Sequence, residues 1–233
     1  MTTADNSRPA ILLVHGAWHG AWCFDRLVPE LTALGWRVET VDLPSASPDE
    51  GNTAGMHDDA RAVRDRLDAV AGPVTVLAHS YAGIPVTQAA ADAPNVSRIV
   101  YLSAFVLDEG ESIDGMSGGK ISGAGVASLS AHGHYEDAKA AFYGDAAPHD
   151  AEDATARLVL QTARSFCEPL TAAAWKTVPS TYILTERDTA LAPEFQEAMA
   201  ARAQRTHRLP SGHSPFLSMP VELAELITTD AGH

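Results

Sequence analysis

Leu77-Ala78-His79-Ser80-Tyr81-Ala82-Gly83 directly extends the apolar, β-branched run Val74-Thr75-Val76 and precedes a helix-compatible segment, Ile84 to Ala91. Strand, sharp turn, serine and helix in that order are the sequence form of a nucleophile elbow. Such a turn leaves no room for bulk two positions before and after the serine, and both positions are alanine, Ala78 and Ala82. The usual pattern is G-x-S-x-G; here it is A-x-S-x-A followed by Gly83, a variant that keeps the steric requirement. Ser80 is therefore expected on a strained backbone with its hydroxyl presented for covalent chemistry.

Outward from the elbow, short apolar runs alternate with helical patterns. Ala10–His15, Arg37–Asp42, Val74–His79, Arg98–Ala104, Ser180–Thr185 and Arg205–Leu209 read as strands. The first five look like strands buried on both faces of a parallel sheet, and the more polar sixth looks like an edge. Helical spacing is found in Phe24–Leu34, Met56–Ala71, Tyr81–Ala93, Pro193–Arg202 and Val221–Thr229; Ala60, Val63, Leu67 and Val70, for example, mark one face of the second. Alternating β and α units predict an α/β fold with a doubly wound, mostly parallel six-stranded sheet and right-handed crossovers.

One region breaks this rhythm. Phe105 to Val178 carries no core strand, only the glycine-rich stretch Gly115–Gly133 and helical patterns at Glu136–Phe142, Glu152–Arg164 and Leu170–Trp175. It follows the fourth strand, above the crevice where open α/β sheets bind ligands. The expected organisation is a core of residues 1–104 and 179–233 with a cap or lid at 105–178.

Composition narrows the function classes. A chain of 233 residues is long enough for one domain with a large core. The formal net charge of -14 argues against nucleic acid and anionic membranes as partners, since few cations are available to displace phosphate counterions. Cys23 and Cys167 lack zinc-site or C-x-x-C spacing and fit a reducing compartment. With no signal-peptide pattern and no spanning segment, a cytoplasmic location is expected. No cofactor or metal is expected. His15 and His19 stand four apart but lack the glutamate of H-E-x-x-H and fall on a glycine turn, which excludes that metal motif.

A serine nucleophile requires a base, an acid and an oxyanion hole. Among ten histidines, His213 lies in the loop Leu209-Pro210-Ser211-Gly212-His213-Ser214-Pro215-Phe216, directly after the last strand, where a base could reach Ser80. Asp188 follows the fifth strand and is preferred as the acid; Asp108, after the fourth, is the competitor. Oxyanion donors are expected from the Tyr81 amide, next to the nucleophile, and from the Ala17 amide in the loop after the first strand, where Gly16 lets the backbone turn. His79 is expected beneath the elbow, and His132, His134 and His149 on the cap surface. Trp18, Trp22, Tyr81, Phe105, Trp175 and Phe216 could line an aromatic pocket, with core packing at least as good a reading of each.

The tandem His15-Gly16-Ala17-Trp18 and His19-Gly20-Ala21-Trp22, the elbow, the acid loop Asp188-x-x-x-x-Pro193 and the base loop Ser211-Gly212-His213-Ser214-Pro215-Phe216-Leu217 together resemble the α/β-hydrolase superfamily. Within it they are similar to the branch of plant methyl-ester esterases, including the salicylate-binding type, and hydroxynitrile lyases. The resemblance covers nearly the whole chain and implies a six-strand core, one cap after the fourth strand and the triad order Ser80, Asp188, His213. It also separates two chemistries. The lyases carry a threonine after the first histidine of the oxyanion loop and a lysine after the catalytic histidine; here these positions hold Gly16 and Ser214. The implied activity is hydrolysis of a small-molecule ester, with Gly16, Trp18, Phe105, Trp175 and Ser214 as candidate substrate contacts. Alternatives are lyase or lactonase chemistry on the same triad, or a non-enzymatic small-ligand-binding protein. Oligomeric state is open, a homodimer being one option.

Overall fold

The computed structural model describes residues 9–231. Six strands form one sheet: β1 (Ala10–Val14), β2 (Arg37–Val41), β3 (Val74–His79), β4 (Val96–Leu102), β5 (Ser180–Thr185) and β6 (Arg205–Leu209). Their order is β2-β1-β3-β4-β5-β6, every neighbouring pair is parallel, and the switch point lies between β1 and β3. Helices α1 (Leu27–Ala33), α2 (Met56–Ala69), α3 (Gly83–Ala90), α7 (Pro193–Ala200) and α8 (Pro220–Ala231) connect or flank these strands.

The apolar runs become strands because alternate side chains serve two cores. Ile11, Leu13, Leu77, Val100, Leu102 and Ile183 face α1 and α8, packing with Leu27, Leu31, Leu223 and Ile227. Leu12, Val14, Val74, Val76, Tyr101 and Tyr182 face the α2–α3 side, with Val63, Leu67, Ile84 and Val86. β2 departs from expectation. It is the second edge of the sheet and is half-buried along its whole length, which is why its sequence, Arg37-Val-Glu-Thr-Val41, admits two charged residues.

Between β4 and β5 the chain forms short helical turns, then α4 (Ala138–Tyr143), α5 (Pro148–Ala156) and α6 (Ala163–Cys167). The continuous helix expected over Glu152–Arg164 does not form. It stops at Ala156, and Leu160–Thr162 is a strand instead. That strand pairs antiparallel with Ser128–Leu129 on one side and with Ala46–Ser47, from the loop after β2, on the other. The Thr162 hydroxyl accepts from Ser165 N and so starts α6 afresh. Leu170–Trp175 also lacks an α-helix; only a 3₁₀ turn, Ala174–Lys176, is present. The glycine-rich stretch includes the short helices Lys120–Gly123 and Ala131–His134. The inserted segment is thus stitched to the β1–β2 half of the core by a small three-stranded sheet.

Candidate active site

The carboxyl ends of β1, β3, β4, β5 and β6 converge on one loop cluster. Ser80 opens a 3₁₀ turn between β3 and α3 with φ 55°, a left-handed value costly for a residue with a Cβ. The other non-glycine residues with positive φ among the described residues are Trp18, in the loop after β1, and Ser103, just after β4, so backbone strain gathers here. Ala78 and Ala82 are fully buried, as the tight turn demands. Gly83 is stricter still. A Cβ there would stand 3.0 Å from Phe105 C and 3.2 Å from Ala104 Cβ, with the Phe105 carbonyl oxygen nearer than either. Phe105 N in turn donates to Ser80 O at 3.1 Å, which ties the turn to the end of β4.

His213 and Asp188 are both buried, and His213 Nδ1 lies 2.7 Å from Asp188 Oδ2. Asp188 also receives Thr185 Oγ1 (2.9 Å) and Gln196 Nε2 (3.0 Å) on Oδ2, and the amides of Ala190 and Leu191 (2.8 Å each) on Oδ1. Burial pushes its carboxyl up, but the neighbouring His213 and these donors outweigh burial and hold it below the usual carboxylate range. A carboxylate accepts only, so Nδ1 carries the imidazole proton and Nε2 is the free base. The competitor Asp108 faces elsewhere: Lys176 Nζ sits 2.5 Å from it and lowers its carboxyl.

His79, one residue before the serine, is fully buried beneath the turn, as expected. Its Nε2 donates to His213 O at 3.0 Å, and the two rings lie 4.7 Å apart. The loop that carries His213 is thereby fastened to the strand that leads into Ser80. Burial drives the His79 imidazole well below its ordinary range, so it stays a neutral strut. Asp145, just after α4, holds the same loop from the other side through Gly212 N at 2.6 Å.

The loop after β1 lies against this turn: a Cβ on Gly16 would stand 3.0 Å from both Ser80 Cβ and His79 Nδ1. Its two successive peptide groups are pinned. His15 Nδ1 lies 2.8 Å from Gly16 O, while its Nε2 accepts from Leu43 N at 3.0 Å. His19 Nδ1 lies 2.7 Å from Ala17 O, and its Nε2 meets Tyr143 Oη at 2.7 Å. Burial lowers both imidazoles, His19 to about 3, so both are neutral Nδ1–H donors to these carbonyls. Trp18 N donates to Gln161 Oε1 at 3.2 Å. Of the four polar atoms in these two peptide groups, the two carbonyls accept and Trp18 N donates, and only the Ala17 N–H has no hydrogen-bond partner among the described residues. The Tyr81 amide, in the first turn of its helix, likewise lies outside the intrahelical ladder. The two histidines that looked like an i, i+4 pair are carbonyl clamps.

The other sequence candidates divide by surroundings. Trp18 is buried, with its ring against His134, Tyr135, Phe142 and Phe166. Phe142 also lies 5.6 Å from the His213 ring, so the inserted segment packs against that histidine; neither Phe142 nor Phe166 was expected there. Phe105 is half-buried beside Phe195. Ser214 is buried with its hydroxyl unpartnered among the described residues. Trp175 contacts Leu107 O, Lys176 and Arg202, and Phe216 packs with Phe24 in the lower core. The Tyr81 side chain turns inward, its hydroxyl on Asp59 at 2.5 Å. Burial raises the Asp59 carboxyl to about 6, despite hydrogen bonds from Ser45 and Tyr81. Asp59 was missed although the signal was readable: it is an acidic residue on the buried face of α2, between Met56 and Val63. His132, His134 and His149 are exposed.

With this geometry in view, comparison with known proteins is decisive at family level. The model of the alpha/beta hydrolase family matches residues 11–226. The chain belongs to that family. A probable hydrolase (R7) from a Phoma species is 30% identical over 97% of this chain and 99% of its own length. Methylesterase 7 of Arabidopsis thaliana is 34% identical over 44% of this chain and 42% of its own. Among solved structures, a pyrethroid hydrolase from Sphingobium faniae JZ-2 superposes with a TM-score of 0.79 at 26% identity, covering 96% of this chain and 97% of that one. This family member is an enzyme of the carboxylesterase type, in the branch that its motifs resembled. No described helix is long and apolar enough to cross a membrane.

Proposed function

We propose that this enzyme is a serine hydrolase that cleaves a small carboxylic ester through Ser80, His213 and Asp188 by way of an acyl-enzyme. The observation that carries the reading is the buried Asp188–His213 hydrogen bond, in a loop bonded to the residue before Ser80. His213 Nε2 takes the hydroxyl proton as Ser80 Oγ attacks the ester carbonyl carbon. The oxyanion settles on the Ala17 and Tyr81 amides, each donor supplying about 3 kcal/mol. The intermediate collapses, the C–O bond to the alcohol breaks, and His213 returns its proton to the leaving oxygen. Water, deprotonated by the same imidazole, then frees the acid and regenerates Ser80. Asp188 holds the tautomer and stabilises the imidazolium.

Residues 105–178 act as the cap and set the substrate class. Trp18, Tyr135, Phe142 and Phe166 form an aromatic wall next to His213, which favours an ester with an aromatic or broad apolar group. Relatives named methylesterase and pyrethroid hydrolase support ester cleavage as the reaction class. Cyanohydrin cleavage is disfavoured, because the residue after His213 is the neutral Ser214. A panel of aryl, alkyl and lactone esters, scored by kcat/KM with Ser80→Ala as control, tests the reading. Aromatic esters should lead; preference for lactones, or turnover that survives Ser80→Ala, would reject it.

A further inference from the structure

Gln161 is fully buried at the centre of the inserted strand, and its amide is committed on both sides. Its Oε1 accepts from Trp18 N, while its Nε2 donates to Ser45 Oγ (2.6 Å) and to Ser165 Oγ (2.7 Å). Ser45 Oγ in turn donates to Asp59 Oδ2 at 2.5 Å, and that oxygen also accepts from the Tyr81 hydroxyl. One buried chain of hydrogen bonds therefore joins the peptide group beside Ala17 to the side chain of Tyr81. One end is the N–H of Trp18, the residue after Ala17, and the other is the side chain of Tyr81; the hydrolase reading places the oxyanion on the amides of Ala17 and Tyr81.

The Ala17–Trp18 peptide needs such restraint. Trp18 holds φ 64°, a conformation that a tryptophan adopts only when its surroundings impose it. His19 grips the carbonyl of this peptide, Gln161 grips its N–H, and Leu129 O holds the indole Nε1 at 2.9 Å. Gln161 and Leu129 lie on the paired strands of the small sheet. We propose that Gln161 is a positioning residue: supplied by the inserted segment, it orients the Ala17 amide toward the oxyanion and, through Ser45 and Asp59, keeps it in register with the Tyr81 amide. The inference rests on the hydrolase reading. It makes docking of the inserted segment a condition for full transition-state stabilisation, beyond covering the substrate.

Gln161→Met keeps length and removes every hydrogen bond. With an aryl ester, kcat should fall about 10- to 100-fold while KM stays within about threefold, as expected when an oxyanion donor is turned and ground-state binding of the ester is untouched. A trifluoromethyl ketone provides the second readout. Ser80 Oγ adds to its carbonyl carbon, the hydroxyl proton passes to His213, and the resulting alkoxide occupies the oxyanion site. Its inhibition constant should weaken by the same factor as kcat, while that of the unfluorinated ketone stays put. Gln161→Glu keeps an acceptor for Trp18 N but no donor for Ser45 Oγ or Ser165 Oγ, so it should stay impaired; wild-type kcat in this variant would overturn the relay through Ser45. Folded Gln161→Met with wild-type kcat and ketone affinity overturns the proposal, as does an equal change in KM and kcat. If Gln161→Met does not fold, Ser45→Ala carries the test: a kcat loss above about threefold at constant KM supports the relay, and wild-type kcat overturns it. Wild-type protein without Ser80-dependent ester turnover would remove the hydrolase reading itself. Wild-type turnover with indifferent Gln161 and Ser45 variants would remove only the positioning role.

Discussion

Gly83→Ala probes how tightly the elbow is built. The added methyl would meet Phe105 C at 3.0 Å and Ala104 Cβ at 3.2 Å, with the Phe105 carbonyl oxygen closer still. Carbon atoms pack favourably at about 3.5–4.0 Å, so the end of β4 and the start of α3 must separate by roughly 1 Å. These are backbone atoms of two buried elements and cannot swing aside as a side-chain tip would. Overpacking of this kind costs about 1–3 kcal/mol, and the rigidity here argues for about 3. For a chain of this size that lowers Tm by about 6–12 °C. The same shift reaches Ser80, the proposed nucleophile, because Phe105 N is bonded to Ser80 O. A displacement near 1 Å at a reacting group costs about 100-fold in rate. Thermal unfolding by circular dichroism and kcat per folded molecule on an aryl ester measure the two effects. Gly123→Ala, with nothing within 4 Å of the new methyl, is the control and should stay within about 0.5 kcal/mol of wild type. A Gly83→Ala protein with wild-type Tm and kcat would refute this steric account of the turn.

The remaining predictions concern the triad and acid stability. Ser80→Ala should lower kcat by about 10⁶ and Asp188→Asn by about 10⁴, the latter through the wrong imidazole tautomer. Asp108→Asn should leave kcat within about threefold, since Asp108 serves a partly exposed ion pair with Lys176; a larger loss from Asp108→Asn than from Asp188→Asn would reverse the acid assignment. His15, His19 and His79 are all held neutral by burial. The unfolded chain takes up protons on them below about pH 6.5 while the fold does not, so stability is present above that pH and drains as pH falls. For His19, depressed to about 3, the loss between pH 6.5 and 5 is about 2 kcal/mol; Asp59, raised to about 6, opposes it by about one proton between pH 6 and 4. Urea unfolding at pH 7 and pH 5 should show the decline, and His19→Gln should flatten it; equal slopes would contradict the assignment.

Much of this was legible because the signals are local. The buried strands announce themselves as apolar runs, since a parallel sheet covered on both faces leaves no polar alternation. Ser80 and Asp188 could be named because each stands just beyond such a run, and His213 because it lies in the Gly/Pro/Ser-rich loop directly after the last, more polar strand. β2 departs from the reading although Arg37 and Glu39 carry an edge signal; sheet order, which no single strand encodes, decides that it is the second edge. The Glu152–Arg164 segment misled for a related reason. Its spacing suits a helix, yet Leu160–Thr162 is extended because Ala46–Ser47 and Ser128–Leu129, far away in sequence, supply its partners. Gln161, Asp145 and the carbonyl-clamping roles of His15 and His19 depend on such distant partners and have no local signature. Asp59 was the exception, a carboxylate on an otherwise apolar helical stripe.

The central claim is that Ser80 is the activated nucleophile of this enzyme, and intact-mass analysis after incubation with a fluorophosphonate tests it most directly. One adduct per chain is expected, mapped to the peptide carrying Ser80 and lost in Ser80→Ala, with labelling at least about 10³-fold slower in His213→Ala. Folded protein that remains unlabelled, or an adduct on another residue, would contradict the account.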